Sequence, residues 1–160
     1  MSSSQPAEPS LTGPTDASGR GLSFDVEEAG RYQRVGVLGQ GGMGRVFLAR
    51  DTRLERDVAL KEVLHEAPDT AARLVREALL TAQLDHPGIV PVYDAGKTAE
   101  GRLFYTMRLV RGRRLGDLVR EASDVHARLR LVSHVRDVAR ALAFAHERNV
   151  VHRDVKPDNV

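Results

Sequence analysis

The 160-residue sequence has no cysteine and no tryptophan, and its aromatic side chains are confined to three tyrosines and four phenylalanines. Without cysteine there is neither a disulfide framework nor a thiolate nucleophile, which fits a reducing compartment. No apolar run approaches the roughly 20 residues that a membrane-spanning helix needs. The N-terminus lacks a basic patch followed by an apolar core, so it does not read as a secretory leader. An excess of one charge sign is missing too: 24 Lys and Arg face 22 Asp and Glu, a formal net charge of +2, too small to point to nucleic acid. With 41% hydrophobic and 29% charged residues, these absences predict a soluble, cytoplasmic chain with no membrane segment and enough material for one core.

What is present is unevenly distributed. Residues 1–24 are rich in Ser, Pro and Gly, with Leu11 almost the only large apolar side chain before residue 22. Such a segment buries too little surface to offset the entropy of ordering it, and is predicted to be a disordered tail. From 25 to 160 a folded unit is expected. "YQRVGVLGQGGMGRVFLARD" from Tyr32 reads as strand, glycine turn, strand, and "DVALKEV" from Asp57 as a further strand. "PDTAARLVREALLTAQL" reads as a helix capped by Asp69 or Thr70, running to Leu84 and ended by His86-Pro87-Gly88. Two more strands, "IVPVYDAG" and "RLFYTMRLV", flank a turn near Gly101. Past Gly112, Leu131, Val135, Val138, Leu142 and Ala145 fall on one helical stripe expected to be buried. The order is a strand-rich half with one helix, about 31–111, then a helical half, 112–160.

Four groups of residues carry chemistry. Gly39, Gly41 and Gly44 form a G-x-G-x-x-G, whose backbone could turn tightly and present N–H groups to phosphate. A dinucleotide fingerprint, with Glu62 as its acidic residue, would need a helix opening at the third glycine; "RVFLARD" favours a strand. Lys61 shares a strand face with the small Ala59, and an exposed surface lysine is the plain alternative. Glu77 lies among Leu74, Leu80 and Leu84 on the helix, where a carboxylate is costly unless a cation such as Lys61 meets it; a solvated position at the stripe's edge is the alternative. Finally "HRDVKPDN" puts Asp154, Lys156 and Asn159 within six residues. A carboxylate can take a proton from a hydroxyl, carboxylates and an amide oxygen suit Mg²⁺, and a lysine can neutralise a transferring phosphoryl group.

Taken together, "GQGGMGRV" (Gly39 to Val46), "VALK" (Val58 to Lys61), Glu77 and "HRDVKPDN" (His152 to Asn159) resemble the protein kinase family, in order and from about Arg31 to the end. "HPGIV" at His86 and "MRLVRG" at Met107 fit as well. Lys156, two after Asp154, is similar to the serine/threonine branch, and the glycine wording to bacterial members. The resemblance implies an α+β fold: an antiparallel-sheet N-lobe with one main helix, followed by the first part of a helical C-lobe. It implies ATP and Mg²⁺ as cofactors and a protein Ser/Thr hydroxyl as substrate. Leu38, Val46 and Ala59 would sandwich adenine, with Met107 behind it and the backbone of Arg108 and Val110 on its edge. Gly39, Gln40, Gly41, Gly42, Met43 and Gly44 would cover the phosphates, and Lys61, oriented by Glu77, would hold them. Asp154 would be the base, Lys156 would approach the γ-phosphate and Asn159 would bind Mg²⁺, with His152 and Arg153 supporting the loop.

The family's Asp-Phe-Gly, which supplies the main Mg²⁺ ligand, and its activation segment do not occur in these 160 residues. The chain is therefore expected to be a truncated catalytic domain, inactive alone, with the apolar face of the Leu131–Ala145 helix exposed. A non-catalytic nucleotide-binding or kinase-interaction module is the alternative. A nucleic-acid role for Arg108, Arg111, Arg113 and Arg114 is disfavoured, because no aromatic ladder accompanies them. Related bacterial kinases often carry a membrane anchor or sensor outside the catalytic domain.

Overall fold

In a computed structural model, residues 24–42, 44–64 and 68–160 are described; the predicted tail lies almost wholly outside them, as does Met43. Five antiparallel strands form one sheet in the order β1-β2-β3-β5-β4: β1 Tyr32–Gln40, β2 Gly44–Asp51, β3 Arg56–Val63, β4 Val92–Lys97 and β5 Leu103–Arg108. The helix α1, Pro68–Ala82, intervenes between β3 and β4. It begins at the proline, a residue suited to the first helical position because its missing N–H has no partner there anyway. Asp69 consequently sits inside the first turn, where its charge meets the positive end of the helix dipole, and not at the cap. The helix also ends two residues short of Leu84, which is reached through tight turns onto Leu80 and Thr81.

The alternation along β3 sends its side chains to two cores. Val58 and Leu60 join Tyr32, Ala49 and Phe104 on one face; Val63 joins Leu74, Ala78 and Tyr105 beneath α1 on the other. β5 alternates in step, with Phe104 in the first core and Tyr105 in the second. A strand buried on both faces cannot slip by one residue without exchanging its two sets of side chains, so β3 is the fixed reference of the sheet. At its end Gly44 lies against the β3 backbone: a Cβ there would stand 2.4 Å from the Glu62 carbonyl oxygen.

Three helices follow: α2 Leu115–Glu121, α3 Val125–Arg130 and α4 Val132–His146. Asp124 caps α3 by accepting from the Ala127 N–H at 2.7 Å. The connection between α1 and β4 rests on α4, where the His86 and Phe144 rings lie 5.1 Å apart and Gly88 packs on Ala141. The stripe is only partly covered, in line with the exposed face expected for this helix: Ala145 is buried, Leu131, Val138 and Leu142 are half-buried, and Val135 is 58% exposed. Its periodicity is that of a packed helix, but no element among the described residues covers its outer half. No helix among them is long and apolar enough to cross a membrane.

Gly44→Ala is expected to lower stability by about 1–3 kcal/mol, the usual cost of overpacking. Gly41→Ala, whose added methyl meets nothing within 4 Å, should stay within about 0.5 kcal/mol. Urea unfolding of the two variants side by side measures the difference.

Candidate active site

Strand register assembles the first part of the site. On the α1 side of the sheet, Lys61 lies between Val46 of β2 and Tyr105 of β5, and Ala59 between Leu48 and Met107. Val46, Ala59, Lys61 and Met107 therefore share one face. α1 buries Leu74 and Ala78 in the core below that face, which brings Glu77 over the sheet. Lys61 Nζ donates to both carboxylate oxygens of Glu77 at 2.7 Å. Neither the exposed lysine nor the solvated glutamate describes this pair, whose side chains are 16% and 37% exposed. A partly exposed ion pair adds at most about 1 kcal/mol. Its larger effect is to hold a flexible four-carbon stem in one orientation.

Tyr105, marked by no motif, completes the cluster. Its hydroxyl donates to Glu77 Oε1 at 2.7 Å, and the side chain is 4% exposed. Burial, and then the neighbouring carboxylate, push the phenol well above its ordinary pKa, so it stays protonated and donating. The sequence did hold a signal: a tyrosine two residues before Met107 on a strand faces the same side and brings a hydroxyl that needs an acceptor.

The glycine turn joins β1 to β2. The Gly41 N–H donates to the Gly44 carbonyl at 2.9 Å, and Arg45 Nε donates to the Gln40 side chain at 3.0 Å. A methyl on Gly39, Gly41 or Gly42 would meet nothing within 4 Å, and none of them has a positive φ. Only Gly44 is demanded by the chain's own packing. Leu38 sits at the irregularity between Val37 and Gly39 and is exposed. Val110 is exposed as well, and the Arg108 N–H is already given to the Pro91 carbonyl at 3.1 Å, so Arg108 has only its carbonyl to offer. Two surface hollows, both lined in part by Arg31, lie at the Tyr32 end of β1, away from the glycine turn.

The second part of the site is the loop after α4. Asn149, at φ 60, makes the left-handed cap in which its N–H bonds the His146 carbonyl and the Val150 N–H bonds that of Ala145. The chain is thereby turned back toward α2. Arg153, also left-handed at φ 66, bends the loop so that the Asp154 N–H meets His152 Nδ1 at 3.3 Å. Lys156 Nζ lies 3.0 Å from Asp154 Oδ2, while Asn159 Nδ2 donates to the Asp154 carbonyl and to Oδ2 at 2.9 and 3.0 Å. The loop end is tied down by the Leu115 N–H, which donates to the Val160 carbonyl at 2.8 Å. Asp158 packs so tightly on Gly116 that a Cβ there would stand 2.3 Å from Asp158 Oδ1. Asp154, Lys156 and Asn159 are thus one cluster and Lys61, Glu77 and Tyr105 another. Among the described residues no hydrogen bond or ion pair links the two.

A family model described as protein kinase domain matches residues 32–160. Among curated proteins, the chain is 45% identical over 131 residues to serine/threonine-protein kinase PknJ of Mycobacterium tuberculosis, spanning 80% of this chain and 22% of that one. It is 43% identical over 136 residues to serine/threonine-protein kinase PknB of Mycolicibacterium smegmatis, spanning 81% and 22%. Among solved structures, the M. tuberculosis PknI kinase domain superposes with a TM-score of 0.65 at 31% identity, over 87% of this chain and 55% of that one. The chain thus spans about a fifth of the length of the curated relatives it matches.

The loop's electrostatics are open to direct measurement. The Lys156 ammonium, then the Asn159 amide, hold the Asp154 carboxyl below the ordinary aspartate range. A depressed carboxyl pKa favours the ordered loop above the pH at which a free aspartate ionises, and that preference fades as the pH falls through the depressed value. Lys156→Ala is expected to raise the Asp154 pKa toward its ordinary value, read from the carboxyl carbon in an NMR titration. An unmoved midpoint would show that the ammonium does not set it.

Proposed function

The chain belongs to the protein kinase family, of the bacterial serine/threonine type, and from that premise we propose that its two clusters grip ATP and orient a protein Ser or Thr hydroxyl for phosphoryl transfer. The observation that carries the proposal is the Lys61–Glu77 pair, at 2.7 Å, on the sheet face that also holds Val46, Ala59 and Met107. An ammonium held by a carboxylate beside small and apolar side chains suits a triphosphate joined to a flat heterocycle. Lys61 holds the α- and β-phosphates, and Glu77 keeps it aimed. Val46, Ala59 and Leu38 flank the ring, Met107 lies behind it, and the carbonyl of Arg108 and the backbone of Val110 meet its edge. Gly39, Gln40, Gly41, Gly42, Met43 and Gly44 cover the phosphates. The open space over Gly39, Gly41 and Gly42 supports that role, since nothing among the described residues requires glycine at these three positions.

ATP supplies the transferable γ-phosphoryl group. Asp154 accepts the proton of the attacking hydroxyl, and Lys156 offsets charge on the phosphoryl oxygens in transit. An ionised Asp154 suits a group that first orients the hydroxyl by accepting its hydrogen bond. For Mg²⁺ the fit is incomplete. Asn159 donates through Nδ2, leaving its amide oxygen as one hard ligand. No group of three or more His, Asp or Glu among the described residues is placed to hold a metal ion. A second reading is a module that binds nucleotide or another kinase without catalysis. The 160 residues by themselves are inferred to bind nucleotide without completing transfer, and an in-frame Asp-Phe-Gly in the coding sequence after Val160 would favour the catalytic reading of the parent protein.

In a protein carrying that continuation, Lys61→Met is expected to abolish transfer with the fold intact. Asp154→Asn should bind ATP normally and lose about 10²–10⁴-fold in turnover, the range of a positioned base. Calorimetric ATP titration beside a radiolabel transfer assay separates the two. Loss of ATP affinity in Asp154→Asn would contradict the role given to that carboxylate.

A further inference from the structure

We propose that Tyr105 is a positioning residue, holding Glu77 in place, and through it Lys61, by a hydrogen bond that does not depend on the lysine's charge. Its meaning for catalysis rests on the ATP-site reading above; its mechanical part rests on geometry alone. Lys61 and Tyr105 stand directly opposite each other on adjacent strands. Both reach across the second core to one oxygen, Glu77 Oε1, each at 2.7 Å. The ammonium lies 5.8 Å from the centre of the tyrosine ring, so the two donors form a contiguous pair above the helix carboxylate.

The surroundings of the hydroxyl make this bond consequential. Tyr105 packs with Val63, Leu74 and Ala78, and with Met107 at the margin, none of which offers a side-chain oxygen or nitrogen acceptor. If α1 rolled or slid on the sheet while still covering Tyr105, and carried Glu77 away, a buried donor would be left without a partner, an outcome costlier than never having built the bond. The hydroxyl therefore penalises positions in which α1 still covers the tyrosine but turns Glu77 away from it. An apolar side chain could fill the same volume and pack on α1, but it would leave the carboxylate held by the Lys61 ammonium alone.

Lys61 is an unsteady partner for Glu77 on its own. Its stem is flexible, and its three donors are the ones that would be shared with phosphate oxygens. The tyrosine has two side-chain torsions, held by packing, and among the described residues its hydroxyl donates to Glu77 Oε1 alone. Glu77 accordingly keeps one strong, correctly aimed donor while Lys61 divides its own.

The test is amide hydrogen exchange across α1 in the full 160-residue chain, without nucleotide, for Tyr105→Phe in three backgrounds. Phenylalanine removes the hydroxyl and keeps the ring; Tyr105→Leu serves if the first variant does not fold. In the otherwise unchanged chain, exchange in α1 is expected to rise about tenfold, the scale of a hydrogen bond to a charged group, with β3 and β5 unaffected. The same rise should persist in a Lys61→Met background and vanish in Glu77→Ala. An equal rise in Glu77→Ala, loss of the effect in Lys61→Met, or no rise at all would overturn the proposal. ATP affinity, measured in parallel, should fall severalfold in Tyr105→Phe and show no further fall from that change in Glu77→Ala. If Lys61→Met weakens ATP binding and Tyr105→Phe does not, the positioning role is wrong. If the exchange pattern holds while Lys61→Met leaves ATP binding untouched, the latch stands and the ATP-site reading falls.

Discussion

The contact on which the rest depends is a carboxylate on a helix held by donors from two neighbouring strands. It joins the sheet to α1 at a point where apolar packing alone would allow the helix to roll. Apolar burial is non-directional and roughly proportional to area, so the core of Val63, Leu74, Ala78 and Tyr105 decides that α1 lies on the sheet but not how it is turned. The hydrogen bonds from Lys61 and Tyr105 to Glu77 supply the direction. Their net energy is modest, and their value is in the one orientation they permit.

That orientation is only as good as the strand behind it. β3 is fixed by burial on both faces and by neighbours on both edges, β2 and β5. The glycine turn depends on it in a different way. Gly44 lies so close to the Glu62 carbonyl that no side chain fits, which locks the end of β2 onto the residue after Lys61. Lysine and glycine turn are therefore placed by the same two or three residues of β3, although they are about 20 positions apart in the sequence. Gly39, Gly41 and Gly42 have no such close neighbour among the described residues, so packing constrains them less than Gly44.

The strands, the one long helix among them and the family were legible in the sequence because each rested on a local pattern. Alternation marks a strand, an apolar stripe marks a helix, and the spacing of Gly39, Lys61, Glu77 and Asp154 marks the family. The pairing of Lys61 with Glu77 was legible for a physical reason: a carboxylate in a leucine stripe needs a cation. What escaped was everything set by neighbours distant in sequence. Tyr105 is one of several aromatic or β-branched residues on a strand until the register puts it opposite Lys61. The left-handed conformations of Asn149 and Arg153, which aim the charged loop, are carried by residues that no turn motif singles out. The Leu131 to Ala145 stripe was legible as an apolar face, and its exposure in this chain was expected. Periodicity reports which face of a helix is apolar, not whether anything covers it, and here Val135 is exposed.

The two clusters also differ in how they are held, and the difference bears on what each can do. Lys61, Glu77 and Tyr105 are set by a sheet and a core, with two of the three side chains largely buried. Their mutual geometry survives as long as the core does. Asp154, Lys156 and Asn159 lie on an exposed loop, joined by bonds of 2.9–3.0 Å that salt and protonation both weaken. The loop is tied to α2 at its end, through Leu115 and Gly116, and to the α4 cap at its start. On the reading proposed above, this difference suits a division of labour: a rigidly set ammonium would grip a common group the same way each time, whereas a loop tied at its ends would admit and release a larger, variable partner. In that arrangement the grip is the part that a single hydroxyl, such as that of Tyr105, can stiffen, because only there is the surrounding core dense enough to leave a lost hydrogen bond unreplaced.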